Sequence, residues 1–354
     1  MAKKGSRIIA LDSHNYKQFR MGNMPEATTS RVAHRLGFAL LLFSAALWIM
    51  STLFFVGRWD YVSAVTTFPQ WTWATTGILS AAIAWRLLRP RARLPVWLMV
   101  LWLLTTIYFA DNFEAVLRGV VRGAAPPPAA PVGTIRVISL NCATIHAAAQ
   151  EVMKFQPDIV LLQESPTSNK VAQLARQWFG SNAVPVVGWD CAIVSRFPLT
   201  AVDGIQDVHY TRAIVMLPHN RQALVTSLRL TTPLGSMDLW KPSTWRAYAE
   251  DRRLRTRQLR AVLEAERPKP NLPEIVGGDF NAPAGDGIYK LLSEYRDSHP
   301  RAGRGWGGTA LNTIPIFRPD QIWLKHLTAA SCYAVKTVHS DHRMVVTDLL
   351  WDAN

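Results

Sequence analysis

The chain predicts an all-α front end followed by an α/β domain of two packed sheets flanked by helices. Three observations carry that expectation. Long uncharged apolar runs fill much of residues 36–110, and a Pro-rich stretch breaks the pattern at 124–131. Beyond it, many short β-branched runs follow one another with only a few helical segments between them. That irregular order does not make a repeating strand–helix–strand unit, whereas two sheets packed face to face accommodate it.

Residues 1–35 are polar and basic, with Lys3, Lys4, Arg7, Lys17, Arg20, Arg31 and Arg35. They read as a poorly ordered cytoplasmic tail. Residues 36–56 are 21 uncharged positions dominated by Leu, Phe, Ala and Ile. Such a length crosses a bilayer and exceeds the apolar core of a signal peptide. A second uncharged stretch covers 61–85, with its core at about 71–88, and a third covers 94–110. Arg86, Arg89, Arg91 and Arg93 crowd the turn between the second and third, while the first turn holds only Arg58 and Asp60. The positive-inside bias puts the tail and the arginine turn in the cytoplasm. Three transmembrane helices within 36–110 would leave the remainder of this multi-pass protein extracytoplasmic. Trp59, Trp71, Trp85 and Trp97 sit near the expected span ends, where indole rings favour the interface.

Residues 111–122 suit a short amphipathic connector. The prolines of 124–131 read as a stiff spacer that holds the next domain off the membrane, so connector and linker together occupy 111–133. From Thr134 to the C-terminus at 354 the expected strands are 134–140, 158–162, 183–187, 192–195, 213–217, 223–230, 275–278, 321–324, 332–335 and 344–350. Helices are expected to end near 156 and to cover 171–179 and 245–266.

The formal net charge is +14. Residues 1–93 hold 12 Lys/Arg against 3 Asp/Glu, whereas residues 135–354 hold 25 against 20. The basicity therefore belongs mainly to the membrane-flanking segment and is weak evidence for nucleic-acid binding. Arg252, Arg253, Arg255, Arg257 and Arg260 read as a solvated helix face. Three cysteines, Cys142, Cys191 and Cys332, lack metal-type spacing and an even count, which excludes a disulfide framework and a zinc motif. They read as buried core residues. The Gly-rich loop 303–309 carries Trp306 at its tip and suits either a substrate-facing segment or an ordinary flexible loop.

Chemistry concentrates at strand ends. Ile275-Val-Gly-Gly-Asp-Phe-Asn281 runs a short apolar strand into Asp279 and Asn281, whose side chains project to the same side of an extended backbone. Another strand ends at Gln163-Glu164, and the C-terminal part carries Asp320 and Ser340-Asp341-His342. Acids, an amide and a histidine at successive strand ends are what divalent-metal phosphoester chemistry requires.

The order of these signals resembles the endonuclease/exonuclease/phosphatase superfamily, the DNase I-like fold. The resemblance rests on Arg136-Val-Ile-Ser-Leu-Asn141, Pro157-Asp-Ile-Val-Leu-Leu-Gln-Glu164, Ala192-Ile-Val-Ser-Arg-Phe-Pro198, Gly278-Asp-Phe-Asn281, Pro319-Asp-Gln-Ile-Trp323 and Ser340-Asp-His342. It implies a four-layer αββα sandwich of two mixed sheets and a hydrolase acting on phosphodiester or phosphomonoester bonds. The implied metal is Mg²⁺, with Mn²⁺ as an alternative, held by Glu164 with Asn141 and with Asp341 beside it. Asp279 would orient or deprotonate the attacking water, Asn281 would hold the phosphate, and His342, oriented by Asp320, would contact the phosphate or protonate the leaving oxygen. Mg²⁺ takes oxygen ligands, and a buried Asp–His pair supplies an acid, so the physical chemistry agrees.

The sequence departs from the family pattern at Arg229, where many members carry a catalytic histidine. A guanidinium clamps phosphate but shuttles no proton, so Arg229 is a candidate substrate-binding residue. Ala143 also stands where some members have an additional acid. Nucleic acid and phospholipid or small phosphodiester substrates both stay open, with a lipid bilayer engaged through the N-terminal helices and no protein partner expected. The alternative is a non-catalytic, membrane-tethered binding domain that retains the fold.

Overall fold

The computed structural model describes residues 26–88, 93–110, 112–202, 209–233, 235–236, 238–265 and 271–350. Most of the expected cytoplasmic tail and the centre of the arginine turn lie outside these residues.

The front end is helical, as its apolar runs require. It comprises α1 (Glu26–Gly57), the single turn α2 (Ser63–Thr66), α3 (Gln70–Leu88), α4 (Arg93–Phe109) and the connector α5 (Phe113–Arg122). Small residues let these helices approach closely. A Cβ on Gly77 would lie 2.2 Å from the Trp102 ring. Ser44 Oγ donates to the Gly77 carbonyl at 2.7 Å and accepts from Trp102 Nε1 at 3.1 Å, joining α1, α3 and α4. The helices run up, down and up, and the Phe55 and Phe109 rings meet where α1 and α4 end. Only the segment Arg31–Gly57 is by itself long and apolar enough to cross a membrane among the described residues. Helices α4 and α5 meet that requirement only as a pair, bent by 75°.

The remainder builds two six-stranded sheets. Its elements are β1 (Thr134–Asn141), α6 (His146–Gln150), β2 (Ile159–Gln163), α7 (Ser168–Phe179), β3 (Val186–Val187), β4 (Cys191–Ser195), β5 (Leu199–Ala201), β6 (Tyr210–Leu217), β7 (Arg221–Arg229), α8 (Pro242–Glu264), β8 (Glu274–Asp279), β9 (Arg296–Asp297), α9 (Ser298–Ala302), β10 (Asp320–Lys325), β11 (Thr328–Val335) and β12 (Met344–Leu350). One sheet has the order β11-β12-β1-β2-β4-β3 and the other β5-β6-β7-β8-β10-β9. Both are mixed: β1 and β2 are parallel, as are β7 and β8, and the remaining pairs are antiparallel.

Period-two burial sorts the side chains into layers. Val137, Leu161 and Ile193 pack across the sandwich on Val215, Val225 and Ile275. Ile138, Leu140 and Leu162 face the other way, onto Val171 and Leu174 of α7. Leu228 and Val276 face Leu259 and Val262 of α8. The result is helix, sheet, sheet, helix, the four-layer DNase I-like arrangement.

Two expectations are overturned. Arg252 and Arg255 are not solvated; each is 1% exposed, whereas Arg253, Arg257 and Arg260 do face solvent. Tyr248, Arg252, Arg255, Leu259 and Val262 form one helix face, and burial is possible because Asp286 Oδ2 accepts from Arg252 Nη2 at 2.8 Å. The Pro-rich segment is not a standing spacer either. The guanidinium of Arg136, fully buried on β1, donates to the carbonyls of Pro127, Pro128 and Ala129 and pairs with Asp348 at 2.7 Å. Proline-rich chain keeps its carbonyls unpaired internally, and a buried arginine draws them onto the domain. The short strands β5 and β9 and the turn helices α2 and α9 were not anticipated, because two to five residues give no period to read.

Candidate active site

The parallel pairing of β1 with β2 brings Asn141 beside Gln163, and the pairing of β8 with β10 sets Asp279 opposite Asp320. Arg229, the last residue of β7, lies opposite Asp279 on the other side of β8. The segment Ser340–His342 leads into β12, antiparallel to β1. One rim of the sandwich therefore collects side chains from both sheets. Gly278 makes the approach of β7 and β8 possible: its φ is +146°, and an added Cβ would fall 1.9 Å from the Leu228 carbonyl oxygen.

Asn141 Nδ2 donates to Asp279 Oδ2 at 3.0 Å and to Glu164 Oε1 at 3.1 Å, so one amide ties the two acids together. Its oxygen accepts from the Ala143 N–H at 3.0 Å and is turned away from them. Asp279 Oδ1 accepts from the Asn281 N–H, and Asn281 Nδ2 donates to the Leu230 carbonyl at 2.7 Å, which leaves its second N–H for a ligand. His342 Nδ1 meets Asp320 Oδ2 at 2.8 Å. Ligand atoms of Asp279, Asp320 and His342 all lie within 4.8 Å of one another. Asp341 is exposed and sits beside His342, outside that trio.

Burial raises the Asp279 carboxyl to about 6, reinforced by Asp320 and opposed by His342. Burial disfavours the His342 cation, but the adjoining Asp320 carboxylate outweighs it, with Asp279 and Asp341 adding to the effect, and lifts the imidazole to about 10. A buried carboxyl and a cationic imidazole at one rim are the ingredients of general acid–base chemistry.

Arg229, at the end of β7, bridges two acids at this rim. Its Nη2 is 2.8 Å from Glu164 Oε1 and its Nη1 is 3.0 Å from Asp190 Oδ2. Burial works against its charge, but Glu164 and Asp190 hold its pKa above the usual value. Asp190 and Thr309 carry no sequence signal, and Ser340 is legible only as part of the Ser340-Asp341-His342 motif. Ser340 Oγ donates to the Asn141 carbonyl at 2.7 Å, and Thr309 Oγ1 accepts from the Asp320 N–H at 3.2 Å. Ser340 and Thr309 act through backbone groups, and Asp190 through its ion pair with Arg229.

Backbone strain gathers at the same rim. Ala143, Thr144, Glu164 and Asn281 all have positive φ, and for the non-Asn residues this conformation costs about 1–3 kcal/mol each. The Thr144 N–H bonds the Glu164 carbonyl at 2.8 Å and holds both strained turns together.

A hard divalent cation fits the oxygen donors here. Glu164 Oε1 is taken by Arg229 and Asn141, whereas Oε2 receives no hydrogen bond among the described residues. Asp279, Asp320 and His342 form a second set of donors close enough to share one cation.

A family model described as Endonuclease/Exonuclease/phosphatase family matches residues 138–342. No curated protein matches the chain. Among solved structures, an endonuclease/exonuclease/phosphatase from Beutenbergia cavernae is similar over 61% of this chain and 71% of its own, with 17% identity and a TM-score of 0.47. The human Nocturnin catalytic domain is similar over 61% and 93%, with 18% identity and a TM-score of 0.45. A mannosyl-6-phosphatase from Bacteroides thetaiotaomicron is similar over 61% and 100%, with 14% identity and a TM-score of 0.46.

Proposed function

The chain belongs to the endonuclease/exonuclease/phosphatase family, and from that premise we propose that it is a membrane-anchored, Mg²⁺-dependent phosphoesterase. The observation that carries this reading is the Asp320-bound His342 beside buried Asp279, with Asn141 linking Asp279 to Glu164. Glu164 would hold Mg²⁺ or Mn²⁺ through Oε2, with Asp341 as a further oxygen donor, and the metal when bound polarises the phosphoryl oxygen. Asn141, expected as a ligand, instead turns its N–H groups to the acids and positions Glu164. Asp279 accepts a proton from the attacking water. Asn281 donates its remaining N–H to a phosphate oxygen, and His342 protonates the oxygen that leaves. Arg229 contacts the substrate phosphate from the Asp190 side. Phosphoryl transfer depends mostly on such positioning and charge compensation.

Membrane anchoring is supported by the segment Arg31–Gly57 and by large apolar side chains that remain exposed around the helices, among them Leu42, Phe43, Leu94 and Trp97. We read α1, α3 and α4 as three spans. The N-terminus is then cytoplasmic and the catalytic domain extracytoplasmic.

The test is hydrolysis of bis-p-nitrophenyl phosphate by the full chain in detergent with Mg²⁺ or Mn²⁺. Glu164→Ala and His342→Ala are each expected to lower turnover by about 10²–10⁴-fold. Inactivity of the parent protein on this substrate, plasmid, phospholipid and phosphosugar would instead favour the non-catalytic binding domain.

A further inference from the structure

Both places where the chain leaves the helical front end touch segments that adjoin the rim strands. The first is the loop after α1. Arg252 donates to the carbonyls of Arg58 and Trp59, each at 3.2 Å, and to Thr66 Oγ1 at 2.6 Å, while its other bond goes to Asp286. Cβ atoms built on Gly285 and Gly287 would lie 3.2 Å from Arg58 Nη2 and 3.0 Å from the Arg58 carbonyl oxygen. Gly285 follows Asp279 by six residues, so even fully extended chain keeps that aspartate within about 22 Å of Arg58.

The second place is the chain after α4. A Cβ on Gly307 would lie 2.7 Å from Asn112 Oδ1, and two residues further on Thr309 bonds the Asp320 N–H. From there α5 runs along the side of the domain. Arg118 donates to the carbonyls of Gly303 and Pro300, and the Gly305 N–H bonds the Ala115 carbonyl at 2.7 Å. The chain then reaches the far end of the sandwich, where Arg136 collects the proline carbonyls and β1 begins. The two exits thus contact, among the described residues, loops adjoining the end that bears Asp279 and Asp320.

From this geometry we infer that the catalytic mouth faces the bilayer and takes a phosphoester carried on a membrane lipid. The inference rests on the phosphoesterase and membrane readings above and adds the substrate class. The headgroup layer on each face of the hydrocarbon core is about 5–8 Å deep, so lipid phosphates sit on the mouth's side of the bilayer surface. Trp59 and Tyr61 stack with centroids 5.7 Å apart at the docked loop and are 45% and 60% exposed. Trp240, 76% exposed, projects from the segment joining β7 to α8. Aromatic rings of this kind settle at the headgroup level. Nucleic acid is disfavoured, because Arg252 and Arg255, the centre of the basic helix, are buried and offer nothing to a phosphate backbone. In the step itself a water oxygen bonds to phosphorus, its proton goes to Asp279, the bond from phosphorus to the lipid-side oxygen breaks, and His342 gives that oxygen a proton.

The test uses the full chain in phospholipid nanodiscs with Mn²⁺. Ala284→Cys at the rim and Thr328→Cys at the far end are labelled with a fluorophore, the native cysteines being buried. Quenching by headgroup spin-labelled lipid is expected at residue 284 and not at 328. Nanodisc phospholipid should be hydrolysed and supercoiled plasmid spared, and Trp240→Ser should slow lipid hydrolysis several-fold while bis-p-nitrophenyl phosphate hydrolysis is unchanged. Equal quenching at both positions, or plasmid cleavage without lipid cleavage by a protein active on bis-p-nitrophenyl phosphate, would overturn the inference alone. Inactivity on the soluble diester would sink the phosphoesterase reading with it, and release of the protein from membranes by alkaline carbonate would sink the membrane reading.

Discussion

Asp279 and His342 sit at the same rim with proton affinities moved upward for different reasons. Burial dominates at the carboxyl, about 6, and the neighbouring Asp320 carboxylate at the imidazole, about 10. A base must be deprotonated and an acid protonated, so hydrolysis should fall as pH drops through about 6 and again as it rises through about 10. A pH–rate profile in the presence of saturating Mn²⁺ reads both limbs. Stability follows the linkage sign. His342 is raised from 6.5, so its contribution is fully present below that value and is lost as pH rises through about 10. Thermal melts of the metal-free protein should show a falling midpoint over that window, and His342→Gln should flatten it. Arg229 gives a separate prediction. Its guanidinium shares Glu164 Oε1, so Arg229→Ala should lower the Mn²⁺ concentration for half-activation while raising KM for an anionic substrate. An unchanged metal requirement would mean that the ion does not compete with the arginine.

Among the elements, α8 carries a charge pattern that the fold uses otherwise than its spacing implies. Its length and position follow from sequence, but its arginines look like a solvent face, because charged side chains at helical spacing usually are one. The helix instead buries Arg252 between Asp286 and the loop after α1. Removing one partner of such a pair leaves a buried charge, so Arg252→Ala should destabilise the protein by about 3–5 kcal/mol, readable as a lowered denaturation midpoint. Replacing Arg257, which is exposed, should change that midpoint little. The β7–β8 contact makes a sharper demand. Gly278→Ala would press a methyl into the Leu228 carbonyl and should abolish soluble folded protein, a result that circular dichroism or expression yield can check.

For the whole molecule, front end and catalytic domain are coupled by several buried polar contacts. Arg136 is fully buried, and three of its acceptors, on Pro127, Pro128 and Ala129, precede the first strand. A fragment beginning at residue 134 would leave those donors unpaired, at a cost of about 1–3 kcal/mol for each unsatisfied group. It should therefore melt below a fragment beginning at residue 124. Equal melting would show that water replaces the carbonyls without loss.

Six short motifs in order were enough for the fold and family, and they name Asn141, Glu164, Asp279, Asn281, Asp320 and His342, which the fold gathers at one rim. Strand alternation and strand-end acids are local signals, and they survive in one dimension. The apolar run of α1 was equally plain. Tertiary structure alone decided that Arg229 bridges Glu164 and Asp190, that Arg252 is buried, and that the prolines lie on the domain. Each depends on a partner far along the chain, often a backbone carbonyl that any residue supplies. The docking of the helical front end on the sandwich belongs to the same class, since it is set by contacts between segments some 190 residues apart, such as Arg252 with Arg58 and Arg118 with Gly303.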